Sequence, residues 1–283
     1  MNTLRGGNIL VTGASGGIGV HICNALAAQG ANLALVAHPG TGLQELANSL
    51  KNQSVRIIAR PVDIREPSQR QQMLEWVQSE LGQIDVLVNN AGVEYTSRSH
   101  ELTTDQIADV LQVNLEGPML LTHALLPGML NRKSGHIVNI SSLAGKSGPA
   151  CQESYSATKA ALVAFTFSLR ATYRGTGISA SVVTPGFVEA GIYSRIKETA
   201  GRSAPALLAA TSAEKVAEAV VKSILADKAE IIVNRYPIRP VLALNALWPA
   251  FSENFAEWVG ANDFFRMVAE KSRGTGTVRH RKP

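Results

Sequence analysis

Seven short runs rich in Val and Ile alternate with longer segments of helical period along this chain, and that alternation restricts the fold more than any other feature. The runs are Asn8–Thr12, Asn32–Ala37, Val55–Arg60, Ile84–Asn89, His136–Ser141, Ile178–Thr184 and Glu230–Asn234. Ile84-Asp-Val-Leu-Val88 is almost continuously apolar, as a strand covered on both faces must be. Helical period marks, among others, Gly17–Gln29, Pro67–Leu81, Leu111–Leu130 and Glu153–Arg174. Strand–helix alternation of this kind predicts an α/β fold, a doubly wound parallel sheet with right-handed crossovers and helices on both faces. No internal repeat or low-complexity linker interrupts it, so residues 1–283 read as one domain.

Composition narrows the class. Hydrophobic residues make up 45% and charged residues 17%, ordinary for a globular enzyme. Two cysteines, Cys23 and Cys151, are too few for a disulfide framework, which points to a reducing, cytoplasmic setting. The first strand begins almost at once, with no secretory-type leader before it, and no apolar run approaches the roughly 20 residues of a membrane span. The net charge of +5 owes most of its excess to Arg273, Arg279, Arg281 and Lys282, in a stretch (273–283) without an acid. That is a solvated basic tail, with attraction to an anionic surface as the alternative. Nucleic-acid binding would need a basic stripe with interleaved aromatics, which is missing. No metal centre is expected.

The first strand runs into Thr12-Gly-Ala-Ser-Gly-Gly-Ile-Gly19 and then a helix. Gly13 permits the tight turn, Gly17 lets backbone approach a pyrophosphate, and Gly19 allows close helix–strand packing. Ser15 and Ile18 lie in the same turn, and the helix N-terminus offers N–H groups and partial positive charge to phosphates. This is a dinucleotide-binding turn opening a βαβ unit. Tyr155 and Lys159, four apart on a helix, share one face. A free phenol is too weakly acidic for proton transfer at neutral pH; a neighbouring ammonium favours the phenolate and draws the pKa towards the working range.

The Gly-x-x-x-Gly-x-Gly spacing, Asn89-Asn-Ala-Gly92, Ser141-Ser142, Tyr155-Ser-Ala-Thr-Lys159, Asp63 and Pro185-Gly186 occur in an order that resembles the short-chain dehydrogenase/reductase family over roughly residues 8–235. The resemblance implies a Rossmann-like sheet and hydride transfer between a nicotinamide dinucleotide and a carbonyl/alcohol pair. It implies that Tyr155 transfers the proton, that Lys159 also holds the nicotinamide ribose, and that Ser142, not Ser141, bonds the reacting oxygen. Asn114 would position a water near the lysine. Asp63, with Ile64 beside it, would contact the adenine; Asn89, Asn90, Ala91 and Gly92 would line the adenosine side. Pro185, Gly186, Phe187 and Val188 would lie beside the carboxamide. The family's threonine hydroxyl is missing at Ala190.

An acid about 20 residues beyond the glycines normally grips the ribose in NAD enzymes. Here Ala37 stands where that Asp is expected and His38 follows, with no Asp or Glu between Gly19 and Glu45. NADP(H) is therefore favoured over NAD(H), with the loop His38-Pro-Gly-Thr-Gly42 offering donors to a 2′-phosphate.

Residues 186–212 correspond to the family's substrate loop. It carries Ile192, Tyr193, Leu207 and Leu208 with Arg195, Lys197 and Arg202, a balance suited to an apolar substrate (lipid-, steroid- or acyl-derived) with an anionic end. From Tyr236 the extension 236–283 is aromatic: Leu244, Trp248, Phe251, Phe255 and Trp258 recur at helical spacing. It reads as core, as a lid or subunit contact, or as a peripheral membrane surface. Apolar Leu115–Leu130 and Ala160–Leu169 suit the family's homodimer or homotetramer interface. Alternatives are an NAD-dependent alcohol dehydrogenase, a non-catalytic dinucleotide sensor, and a sugar-nucleotide epimerase or dehydratase. Cys151 is given no chemical role.

Overall fold

The computed structural model describes residues 3–51 and 54–274. Seven parallel strands form one sheet: β1 (Asn8–Thr12), β2 (Asn32–Ala37), β3 (Ile57–Pro61), β4 (Val86–Asn89), β5 (Gly135–Ile140), β6 (Ile178–Pro185) and β7 (Glu230–Val233). Their order is β3-β2-β1-β4-β5-β6-β7. The chain thus winds outward from β1 one way, then from β4 the other, and the loops after β1 and β4 part at that reversal.

Each strand's two-residue period sorts its side chains between the faces. Ile9, Val11, Leu33, Leu35, Val86 and Val88 enter one core with α1 (Gly17–Ala28), α2 (Leu43–Leu50) and α9 (Ala213–Leu225). Leu10, Ala34, Val36, Leu87 and Ile137 enter the other, with α3 (Pro67–Leu81) and α5 (Gly117–Asn131). Helix α7 (Glu153–Thr172) covers that second face beside β5 and β6 and contributes Leu169 to its core.

Two strands, β3 and β4, start two residues later than expected, and the ends of β5, β6 and β7 shift by one. β3 starts at Ile57, where pairing with Leu33 begins. β4 starts at Val86 because Asp85 is a clasp: its carboxylate accepts from the Asn8 N–H (2.9 Å) while its own N–H donates to the Asn8 carbonyl. The segment expected as one helix over 111–130 divides. α4 (Thr104–Leu111) opens with a Thr103/Gln106 capping box, Gln112–Glu116 form a π turn, and α5 follows. Pro118 has no N–H to give the Asn114 carbonyl, so the α ladder lapses there.

Three smaller helices stand over the carboxyl ends of the strands: α6 (Ala144–Ser147), α8 (Ile192–Ala200) and α10 (Arg239–Leu247). With α11 (Pro249–Trp258) and α12 (Ala261–Gly274) they complete the chain. Tyr193, Ile196 and Ala200 of α8 bury against Phe264, Phe265 and Val268 of α12, forming a third core. Phe187 joins it, its ring 4.6 Å from Tyr193 and 5.9 Å from Phe265.

The aromatic stripe of the extension runs over a helix pair, α10 and α11. The chain breaks at Trp248–Pro249, and the stripe divides by environment: Phe251 and Phe255 stack half-buried, whereas Leu244, Leu247, Trp248 and Trp258 stay exposed. The buried aromatics of the extension are Phe264 and Phe265. Residues 275–283, which hold most of the basic tail, lie outside the described residues. Among those described, no helix is long and apolar enough to cross a membrane.

Candidate active site

One cleft at the β1/β4 reversal, with about 970 Å³ of empty space partly open to solvent, gathers most of the expected residues. Gly13, Gly17, Ile18 and Gly19 form one wall; Asn90, Ala91 and Gly92 another; Ser142, Tyr155 and Lys159 a third; Pro185, Gly186 and Val188 close it.

The glycines are there because backbones touch. A Cβ on Gly13, whose φ is +63°, would meet Ala91 Cα at 2.7 Å, and one on Gly19 would meet the Gly13 carbonyl at 2.2 Å. Asn90 pins this crossing: its Nδ2 donates to the Thr12 and Gly13 carbonyls, and its N–H donates to Thr12 Oγ1. At Gly17 the expectation is amended, because a Cβ there would strike Gly191 N at 2.3 Å. The substrate loop itself occupies the close approach. The N-cap of α1 is Gly16, which brings no side chain to the first-turn N–H groups, so they face the cleft uncapped. A side-chain-free cradle ending on uncapped N–H groups fits a dinucleotide's pyrophosphate.

Tyr155 and Lys159 come from α7, and their backbone is held to α6. A Cβ on Gly145 would strike Ala160 N and Lys159 C at 2.6 Å, so only glycine lets the two helices meet. Ser141 Oγ donates to the Lys159 carbonyl (2.7 Å), which removes that serine from chemistry. Ser142 remains, its Oγ accepting from the Ala144 N–H (3.1 Å) and near enough to the Tyr155 phenol to favour its ionisation. Lys159 Nζ donates to the Ile140 carbonyl (3.0 Å) and lies 5.6 Å from the Tyr155 ring centroid. Asn114, fully buried in the π turn, sits behind the cleft. Its Oδ1 accepts from the Val93 N–H and its Nδ2 donates to the Val93 carbonyl and to Thr158.

Electrostatics here run against the sequence-based expectation. Burial pushes the Tyr155 phenol above its ordinary value, and this outweighs the Ser142 hydrogen bond and the Arg195 charge that favour ionisation. The same burial pulls Lys159 down to about 8. In a desolvated pocket both groups lean to their neutral forms, so the ammonium does not draw the phenol into the working range.

The adenosine-side residues assemble elsewhere. Ala37 is buried at the end of β2, and His38 is exposed with Nε2 3.7 Å from Asp63 Oδ2. The Asp63 carboxylate is held by Arg65 (2.6 Å), which also pairs with Asp109. Ile64 packs inward and its carbonyl accepts from Arg70. Ser15 Oγ donates to Thr41 Oγ1 (2.8 Å), and Thr41 donates to the His38 carbonyl. Asn89 turns away from the cleft to donate to Asn139. Beside Ala190, the Thr211 hydroxyl is buried without a partner, while its backbone pairs with Phe187 and Glu189.

Sequence reasoning missed Glu94 and Gln152 and gave Arg195 only a surface place. Gln152 Nε2 donates to Glu94 (3.1 Å) and Thr96 also bonds that carboxylate; burial raises the Glu94 pKa. Gln152 and Arg195 both line the cleft. None stands in a motif spacing that would have marked it.

The lysine value is open to direct measurement. Titration of ζ-15N-labelled lysines by NMR in the dinucleotide-free protein will show one amine with a midpoint near pH 8, absent in Lys159→Met. Because the unfolded chain holds that proton up to about pH 10.5, this group's penalty on the fold is full below pH 8 and fades as pH rises from about 8 to 10.5. A midpoint at the ordinary lysine value would refute the burial argument.

Comparison with known proteins accords with this geometry. The short chain dehydrogenase family model matches residues 7–201. The ketoacyl reductase HetN of Nostoc sp. is 38% identical over 283 residues, covering 98% of each chain. An uncharacterized oxidoreductase of Staphylococcus aureus is 30% identical over 232 residues, 82% of this chain and 96% of its own. The dehydrogenase/reductase SDR family member 7B of Mus musculus is 30% identical over 278 residues, 95% of this chain and 82% of its own. The glycine cradle and these matches agree: the chain belongs to the short chain dehydrogenase family and is an NAD(P)-dependent oxidoreductase.

Proposed function

We propose that the protein interconverts a carbonyl and an alcohol on an apolar, acyl-derived substrate, with NADP(H) as cofactor. The observation that carries this reading is the convergence of Ser142, Tyr155 and Lys159 on the cleft that holds the glycine cradle. The name of the Nostoc relative, a ketoacyl reductase similar over the whole chain, supports the acyl class.

Bound nicotinamide supplies or accepts the hydride. The protein places the proton. Tyr155, kept neutral by burial, donates its phenolic proton to the carbonyl oxygen during reduction and is left as the phenolate; in the reverse direction that phenolate accepts the alcohol proton. Ser142, which lines the cleft beside that phenol, donates to the same oxygen and fixes its position. Lys159 would hold the ribose hydroxyls of a bound nicotinamide nucleotide, while Asn114 braces the Val93 backbone and Thr158 next to it. Tyr155→Phe will lower kcat by roughly 10²–10⁴-fold while fluorescence titration shows cofactor affinity largely kept. Wild-type turnover in that variant refutes the assignment.

For the cofactor, Ala37 leaves no carboxylate at the ribose, and Asp63, the nearest acid to His38, is paired with Arg65. The Ser15 and Thr41 hydroxyls and the His38 ring are the donors for a 2′-phosphate. Measured kcat/KM will be higher with NADPH than with NADH; the reverse order overturns this choice.

Exposed Leu111, Met119, Leu120 and Phe167, on α4, α5 and α7, support a homo-oligomer closed through those helices. Light scattering will show a dimer or tetramer and Phe167→Glu will dissociate it; a wild-type monomer removes this part of the reading.

A further inference from the structure

A second cavity opens beyond the catalytic cleft, with about 950 Å³ of empty space and Ser142, Gln152, Gly186, Phe187 and Phe265 as the shared wall. Its other walls come largely from the extension: Val241 and Leu242 of α10, Phe255 and Ala256 of α11, and Val259, facing Leu143. No charged residue lines it, whereas the catalytic cleft holds Lys159 and Arg195. Its polar side chains include Ser142 and Gln152 at the shared mouth and Asn234 and Asn245 beside α10.

Protein interiors close such gaps when they can. Here they do not: α10 buries no residue in any core, and its apolar inner face, Ile238, Val241 and Leu242, looks onto the cavity instead. A space with such walls holds water poorly and takes an apolar guest well. The walls from α10 and α11 also lie beyond residue 201, where the match to the family model ends.

We propose that this chamber houses the unbranched aliphatic tail of the substrate, with the carbonyl at Ser142 and Tyr155 and the chain running towards α10 and α11. The proposal rests on the carbonyl-reductase reading above and adds to it the place and chemistry of the tail. The Ser142 side chain belongs to both cavities, so a carbonyl bonded to it stands at the chamber mouth.

Straight-chain ketones of increasing length, with NADPH and with NADH, test it. Burial of each added methylene raises kcat/KM by about fourfold until the chamber is full. Ala256→Phe, which fills the chamber from α11, lowers the ratio of long- to short-ketone kcat/KM at least tenfold; circular dichroism and the thermal midpoint show whether that variant is folded. Turnover independent of chain length, or a ratio unchanged in folded Ala256→Phe, overturns the chamber and leaves the reductase reading standing. Failure of every ketone with both cofactors overturns the reductase reading instead. The chamber is then judged by binding of a fluorescent long-chain fatty acid: saturable binding weakened in Ala256→Phe supports it, and no binding rejects it.

Discussion

The reversal of strand order between β1 and β4 governs the rest of the molecule. Parallel strands send all their carboxyl ends to one edge, and at the reversal the loops there diverge instead of packing on each other. The gap has to be held at a definite width. Thr12, Gly13, Asn90 and Ala91 do this with backbone contacts and the Asn90 amide, which shape the cradle without any ligand. Preorganisation of this kind spares a ligand the cost of ordering the loop.

Against that frame the reactive pair is held from behind. Ser141 fixes the Lys159 backbone, Ile140 takes its ammonium, and Asn114 ties the neighbouring Val93 and Thr158. The resulting pocket is so dry that charge is disfavoured on both Tyr155 and Lys159. A neutral phenol suits the reduction direction, where the proton must be given. On the proposed mechanism, oxidation would need a phenolate beside the lysine charge, and the burial that pulls Lys159 down to about 8 opposes that charge.

The sheet was legible because parallel strands covered on both faces need short, near-continuous apolar runs; the match at Asn8–Thr12 and Asn32–Ala37 is complete. The ends of β3 and β4 were less so, since Asp85 and the edge pairing of β3 set them through contacts distant in sequence. The π turn hid inside a helical period, with Pro118 as its only local sign. Residues in spaced motifs, Gly13, Ser142, Tyr155 and Lys159, could be placed by number; Glu94, Gln152 and Gly145 could not, because their roles arise where α6, α7 and the loop after β4 meet. The phenol's shift was misjudged for the same reason, as burial has no sequence signature.

The extension could be read as aromatic but not as architecture, and its division of labour explains why. Phe264 and Phe265 lock α12 onto α8, so the helix that lies across Gly17 is bolted to the one that borders the chamber. Phe265 belongs to both cavities. Any lift of α8 from the glycine turn therefore moves a wall of the second cavity, because a packed aromatic cluster transmits displacement and does not absorb it. Helices α10 and α11 are outside this lock: α10 has no buried residue, and Leu247, Trp248 and Trp258 face outward. The chamber thus has one rigid wall, shared with the chemistry, and one lightly anchored wall.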